Sequence, residues 1–493
     1  MPIKIDPRLT PQKLVPAIER MFELSAQKIL NLEKIWKPAD GTPVFTVKGQ
    51  YTSRGWTEWT QGFQYGSALL QFDATGDEQF LEIGRHNTIE RMATHVSHVG
   101  VHDHGFNNVS TYGNLWRLMR EGKIPFNERE KDFNELALKV SGAVQAARWT
   151  RTFDGEGYIY SFNGPHSLFI DTMRTLRSLA VAHQLGHVLM TEHDERVSLL
   201  KRLITHAGTT ALHNVFYGED GDAYDLRGRV AHESIFNPND GCHRCPNSQQ
   251  GYSPFSTWTR GLAWAILGYA EQSEFLHSLS DEEIETEIYF NGRRPSSPDL
   301  ARMWKRLRRL HAVAAKTPDE IRYWMLRATT VTADFYLANS CTDGIPMWDT
   351  GAPNLHRLPK NYLDKDSDPF NEHEPVDSSA AAIAAQGLIR LGNYLMNNGD
   401  RKNGPRYRQA GLTIANTLFD EPYLSTNAKH QGLLLHSVYH RPNGWDYIAP
   451  GQKVPNGESS MWGDYHAREL ALLILREARG EAYLTFFDYT RKQ

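Results

Sequence analysis

Two aspartates stand in stretches of sequence that tend to exclude water. Asp103 lies in Val-His-Asp-His-Gly-Phe, residues 101–106, and Asp171 in Leu-Phe-Ile-Asp-Thr-Met, residues 168–173. Burial disfavours a charged carboxylate, so a carboxyl in such surroundings can keep its proton near neutral pH. Two carboxyls in unlike surroundings can divide acid and base work between them. Asp171 also stands where a helix starts, the place of an N-cap, and local sequence leaves both uses open. Asp103 taken alone reads equally well as a loop residue. His232 lies in Arg-Val-Ala-His-Glu and Gln250 precedes Gly-Tyr-Ser; among 21 histidines a lone one carries little weight. Arg260 and Trp264 are four residues apart and share a helical face. Such a pair binds a carboxylate, or packs as a helix-start Arg above a core Trp. Cys242-His243-Arg244-Cys245 has metal-ligand spacing, but no second Cys/His pair completes a closed zinc site, so a loop with incidental thiols is expected. The chain has no Walker loop, no dinucleotide fingerprint and no His-Glu-x-x-His helix. Neither a cofactor nor a metal is expected.

Composition narrows the class. The 493 residues are 40% hydrophobic and 23% charged, with a net charge of −4. That is globular composition, and it gives no electrostatic case for nucleic acid. No run approaches the roughly 18 apolar residues of a membrane span. Three cysteines fit a reducing compartment. The N-terminal Met-Pro-Ile-Lys-Ile-Asp lacks a signal-peptide core. A cytoplasmic location is expected, or a periplasmic one if a signal peptide has been removed. Twelve Trp and 21 Tyr offer faces for sugar stacking, although core packing is their commoner use.

The elements that must position these residues read as helices. Apolar spacing predicts amphipathic helices over 11–34, 62–72, 78–96 and 403–418. Strand alternation is rare, and 36–58 reads as loop. A small-and-large texture recurs at 62–70, 260–269 and 377–388, and Gly-Asp turns follow at 76–77 and 399–400. Helices rich in Gly, Ala and Ser can approach closely and form an inner wall, with the more charged ones outside. About a dozen helices suggest six hairpins closed into a toroid: an all-α, (α/α)6 barrel forming one domain over 1–493. Residues 271–320 read as a charged helical insertion, with the basic run at 302–309 as a solvated face. The loops 217–257 and 340–376 are long enough to cover a site. A barrel that gathers two acids at one mouth points to a hydrolase acting on a sugar-like substrate.

Taken in order, these segments resemble the unsaturated glucuronyl hydrolases, glycoside hydrolase family 88, from about Trp56 to Leu470. The matching text is Glu58-Trp59-Thr60-Gln61-Gly62-Phe63, Thr75-Gly76-Asp77, His102-Asp103-His104-Gly105-Phe106, Ile170-Asp171-Thr172-Met173, Trp258-Thr259-Arg260-Gly261-Leu262-Ala263-Trp264, Asp377-Ser378-Ser379-Ala380 and Ser460-Met461-Trp462-Gly463-Asp464-Tyr465. The resemblance implies an (α/α)6 barrel without a metal, Asp171 as general acid/base and Asp103 as second essential carboxylate. It implies substrate binding by His232, Gln250, Arg260 and Trp264, stacking on Trp59, and Ser459 or Ser460 near the substrate carboxylate. The chain departs from the pattern in its greater length, its 271–320 insertion, its Cys242–Cys245 loop, an enlarged 121–165 region, and His104 where an apolar residue is usual.

The implied substrate is an oligosaccharide left by a polysaccharide lyase, ending in a 4,5-unsaturated uronate. Protonation of C4 and addition of water at C5 would hydrate its vinyl ether. On this view Asp171 needs a raised pKa while Asp103 stays ionised. The other readings are an unsaturated rhamnogalacturonyl hydrolase, an exo-glucuronidase on saturated glucuronides, a barrel epimerase using paired histidines, and an inactive carbohydrate-binding barrel. The oligomeric state is not legible.

Overall fold

The helices have local origins. Thr10 caps Pro11–Ile35 by accepting from the Lys13 N–H, and proline occupies the first helical position. Its buried Leu14, Ile18, Met21, Phe22, Ile29 and Leu32 form one stripe. Asp77, Asn127, Ser198 and Thr317 cap four further helices in the same way. Each of these helices has one face to bury, and a second layer must receive it.

The computed structural model describes residues 2–55, 58–219, 222–290 and 317–489. Within them an inner ring is formed by Gln61–Thr75; by the run His104–Asn107, Val109–Gly113 and Asn114–Arg120; by Thr172–Thr175 with Arg177–Gln184; and by Thr259–Ser278, Ser378–Asn397 and Met461–Arg479. The outer ring is Pro11–Ile35, Glu78–Arg91, Glu128–Ala147, Leu199–His213, Pro318–Asn339 and Asn403–Leu418. Successive inner helices touch, and Met461–Arg479 returns to Gln61–Thr75, so the ring closes. This is the (α/α)6 barrel expected from the sequence.

Glycine sets the spacing of the ring. A Cβ on Gly62 would lie 2.4 Å from the Asn107 backbone, one on Gly105 2.4 Å from the Thr175 carbonyl, and one on Gly268 2.6 Å from the Met173 backbone. Gly387 meets Leu267 in the same manner at the next seam. The small residues of the repeated texture are therefore what let neighbouring inner backbones meet.

Because each inner helix is followed by an antiparallel outer one, all the inner helices point the same way. Their N-termini converge on one mouth, where the aligned peptide dipoles favour negative charge. The opposite end is closed by the segment 481–489: Phe487 packs on Phe275, and Arg390 donates to the Leu484 carbonyl.

Several expectations need correcting. The 36–58 stretch contains a hairpin, Phe45–Val47 with Gln50–Thr52. The helix expected over 78–96 ends at Arg91, with a separate turn at Ala93–Val96. Loop 217–257 carries strands Glu233–Phe236 and His243–Asn247, which join Ser167–Phe169 in an antiparallel sheet. The 271–320 insertion is shorter than expected, because the barrel claims both of its ends. Residues up to Ser278 complete an inner helix, and an outer helix begins at Pro318. Between them lies Asp281–Phe290. Trp56 and the basic run at 302–309 lie outside the described residues. No helix among the described residues is long and apolar enough to cross a membrane.

Candidate active site

Both aspartates stand at the N-cap positions of inner helices, and neither carboxylate makes a capping hydrogen bond. Asp377 shows what capping looks like on the same ring: its Oδ1 accepts from the N–H groups of Ser379 and Ala380. The acids are thus held at the mouth with their oxygens free for other work.

What they share is a histidine. His102 Nε2 lies 3.2 Å from Asp171 Oδ1 and 3.7 Å from Asp103 Oδ1. All three residues are buried, at 1%, 8% and 6% exposure for His102, Asp171 and Asp103. Phe162 stacks on the imidazole at 6.2 Å and 14°, and Phe169 meets it edge-on at 5.7 Å. Thr175 Oγ1 donates to the His102 carbonyl and fixes the turn that carries it.

This geometry sets the proton affinities. Burial alone would push His102 down, but the adjacent Asp103 and Asp171 hold its pKa above the ordinary value. Burial lifts Asp103 above the usual carboxylate range despite the pull of His102. Burial also pushes Asp171 upward, yet the charge and hydrogen bond of His102 bring it below that range. The sequence led us to expect Asp171 to be the carboxyl held above the usual range, and burial raises Asp103 instead. The missing element was His102, which bonds Asp171 more closely than Asp103.

His232 comes to the same place on the sheet. Its carbonyl accepts from the Ile170 N–H at 3.0 Å, so Asp171 and His232 emerge from neighbouring strands. His232 Nδ1 accepts from the Gln249 N–H at 3.0 Å, which leaves the hydrogen on Nε2. Burial lowers its pKa to about 4, so the ring is neutral at physiological pH. That Nε2–H is buried and has no protein partner among the described residues, so it is a donor available to a ligand.

Arg260 is placed centrally but is already committed. Its guanidinium lies 4.6 Å from both the Trp258 and Trp462 rings. Nη2 donates to Gln250 Oε1 at 2.9 Å and to the Tyr439 carbonyl at 2.8 Å, while Nη1 donates to the Val438 carbonyl and toward Asp377 at 3.4 Å. Arg260 therefore orients Gln250 and the 438–439 backbone rather than presenting a free fork. Trp264, one turn on, is 2% exposed and packs on Phe106 and His466 beneath the mouth. Ser459 Oγ donates to Asp464, and Ser460 Oγ caps the last inner helix by accepting from the Gly463 N–H. Both hydroxyls thus have structural partners within the protein.

An aromatic stack adjoins Arg260. Half-exposed Trp59 stacks on Trp462 at 5.1 Å, Tyr439 packs on Trp462 at 5.1 Å, and Trp445 follows at 5.2 Å with His440 against it. Arg54 lies over Trp445 and donates to its carbonyl. Trp462 and Tyr439 are buried, at 0% and 4% exposure, so the apolar faces that suit a sugar ring are those of the partly exposed Trp59 and Trp445.

Of the residues expected at the site, the structure places Asp103, Asp171, His232, Gln250, Arg260 and Trp59 at this end of the barrel. Sequence reasoning passed over His102, although that residue adjoins Asp103, and over Tyr439 and Trp445. The departure at His104 is accommodated locally: Ser141 Oγ and the His98 carbonyl each lie 3.0 Å from its ring nitrogens. Cys242 and Cys245 are free thiols, and no group of three or more metal-ligating side chains is assembled among the described residues.

No family model matches the chain. It is 24% identical to the unsaturated glucuronyl hydrolase of Bacillus sp. (strain GL1) over 438 residues, 87% of this chain and 89% of that protein. It is also 24% identical to the unsaturated chondroitin disaccharide hydrolase of Streptococcus pyogenes serotype M1 over 490 residues, 97% of this chain and 96% of that protein. The crystal structure of the Bacillus sp. GL1 unsaturated glucuronyl hydrolase superposes with a TM-score of 0.64 at 21% identity, covering 94% of this chain and 96% of that one. By sequence along most of its length, and by its barrel, the chain is similar to proteins named unsaturated glucuronyl hydrolase.

Proposed function

We propose that this protein is a glycoside hydrolase that removes a 4,5-unsaturated uronic acid from the non-reducing end of oligosaccharides left by polysaccharide lyases. One observation carries the reading: two buried carboxylates that cap nothing meet on a single imidazole at the mouth of the barrel. Relatives spanning most of the chain are named for this activity.

The substrate ring contains an enol ether, because C5 bears both the double bond and the ring oxygen. In the resting site the proton sits on His102, and a 3.2 Å hydrogen bond links it to Asp171. An arriving uronate brings negative charge, which raises the proton affinity of Asp171. The proton passes from His102 to Asp171 and on to C4, forming the C4–H bond as positive charge spreads over C5 and the ring oxygen. Asp103 lies beside this centre and stabilises it. Water adds at C5 and gives its proton to Asp171, which returns it to His102. The hemiketal then opens between C5 and the ring oxygen, and the aglycone leaves from C1, with one water consumed overall. The His232 Nε2–H supplies a hydrogen bond to a substrate oxygen, and the convergent helix N-termini favour the carboxylate. Because the alkene is hydrated, the separation of the two carboxyls carries no message about retention or inversion.

The test is loss of the ultraviolet absorbance of the conjugated double bond, using lyase digests of ulvan, glycosaminoglycan, gellan and xanthan. Absorbance should fall on at least one digest, with saturated glucuronides left intact. Release from saturated glucuronides alone would make the protein an exo-glucuronidase. Binding without turnover of any of them would make it an inactive barrel.

A further inference from the structure

Asp171, His232 and Gln250 come from three separate stretches of chain, yet one carboxylate ties those stretches together. Glu233 is 1% exposed and sits in the central strand of the small sheet, paired with Phe169 on one side and Asn247 on the other. It adjoins His232, Phe169 lies two residues before Asp171, and Asn247 lies three before Gln250. Its side chain takes one tie from each neighbouring segment. Oε1 accepts from Ser167 Oγ on the first strand and from Asn163 Nδ2 at 3.1 Å on the turn before it. Oε2 accepts from Asn247 Nδ2 at 2.6 Å on the third strand. Ser161 Oγ, 2.6 Å from Ser167 Oγ, extends the chain of hydroxyls into the turn that carries Phe162, the ring stacked on His102.

The strands themselves are only three to five residues long. Backbone pairing of that length is weak, and sheets so small need added ties to hold a register. A buried carboxylate whose acceptor sites are filled by donors from both neighbours supplies such a tie.

We propose that Glu233 is a positioning residue: it holds the sheet that sets Asp171 against His102 and aims His232 Nε2–H and Gln250 at the substrate. This inference rests on the proposed hydrolase reading for its kinetic consequences, but not for its structural ones. A displacement of about 1 Å at reacting groups is enough to cost about a hundredfold in rate.

The experiment compares wild type, Glu233→Ala and Asn247→Ala in the hydration assay across pH, together with histidine ring NMR of each. Glu233→Ala should lose about a hundredfold in kcat/KM, mostly in kcat, through misplacement of Asp171. Its pH–rate profile should shift, because the His102–Asp171 contact relaxes, and the His102 and His232 ring signals should move. Asn247→Ala removes one tie and should shift the same signals less, so it decides the matter if Glu233→Ala does not fold. A folded variant of either kind with the wild-type profile and unmoved ring signals would reduce Glu233 to a structural residue and overturn the proposal. A wild type inactive on every digest would sink the hydrolase reading alone, because the ring signals still judge Glu233.

Discussion

The closed end of the barrel and the pair Asp103 and Asp171 at its mouth handle buried charge in opposite ways. At the closed end each carboxylate meets a guanidinium. Arg174 bonds Glu271 and Glu469, Arg177 also reaches Glu469, and Arg390 bonds Glu274, with exposures of 0–2% throughout. Burial would lift Glu469, but Arg174 and Arg177 hold its carboxyl well below the usual range. At the mouth two carboxylates of similar burial share only an imidazole. Guanidinium keeps its proton at any accessible pH, whereas imidazole gives and takes one near neutrality. The closed end is therefore electrically inert, whereas the two acids at the mouth share a partner whose proton is exchangeable. Burial of acids alone does not mark a site; the exchangeability of the partner's proton does.

The strongest challenge to that contrast is Asp171→Asn, which should lower turnover by about a thousandfold, within the range of a lost general acid, with thermal stability little changed. Near-native turnover would remove Asp171 from the chemistry. His102→Gln should lower neutral-pH turnover by about a hundredfold. Its pH profile sharpens the relay. In wild type His102 is raised, so both its proton and the stability it contributes are fully present below about 6.5 and are lost as pH rises through the raised value. Without His102, burial governs Asp171 and lifts its proton affinity, so the basic limb should move to the pH set by Asp171 alone. An unmoved limb would sink the relay.

At the closed end, Glu469→Gln should destabilise the fold by about 3–5 kcal/mol, because it leaves Arg174 and Arg177 buried without their partner. Denaturant melts should show that loss while kcat per folded molecule stays put; a fall in kcat would join the two ends into one functional unit. The smallest effect is expected at Ser460→Ala, about 1 kcal/mol for a lost helix cap. KM should not change. A raised KM would return Ser460 to the substrate carboxylate.

How much was legible follows from how local each signal was. Asn403–Leu418 was readable, in its approximate bounds, because its buried stripe lies within its own sequence. The inner helix Thr259–Ser278 was cut short near residue 270, because the charged stretch that starts at Glu271, and includes Glu274, read as an insertion. Both glutamates are buried against Arg174, 97 residues upstream, and Arg390, 116 residues downstream, which no local pattern reports. The same holds at the mouth. Asp103 and Asp171 were visible from their apolar neighbours, but the imidazole between them bonds across 69 residues of sequence. The short strands that seat His232 were missed, since three-residue pairings leave no alternation to read.

The glycine seams have a consequence of their own. Where hydrogen is the only side chain between adjoining backbones, the circumference of the ring is fixed by contact, as a hoop is fixed by its staves. A single methyl at Gly105 or Gly268 would meet the backbone of the segment that carries Asp171 at 2.4 to 2.6 Å, so that segment or its neighbour must give way.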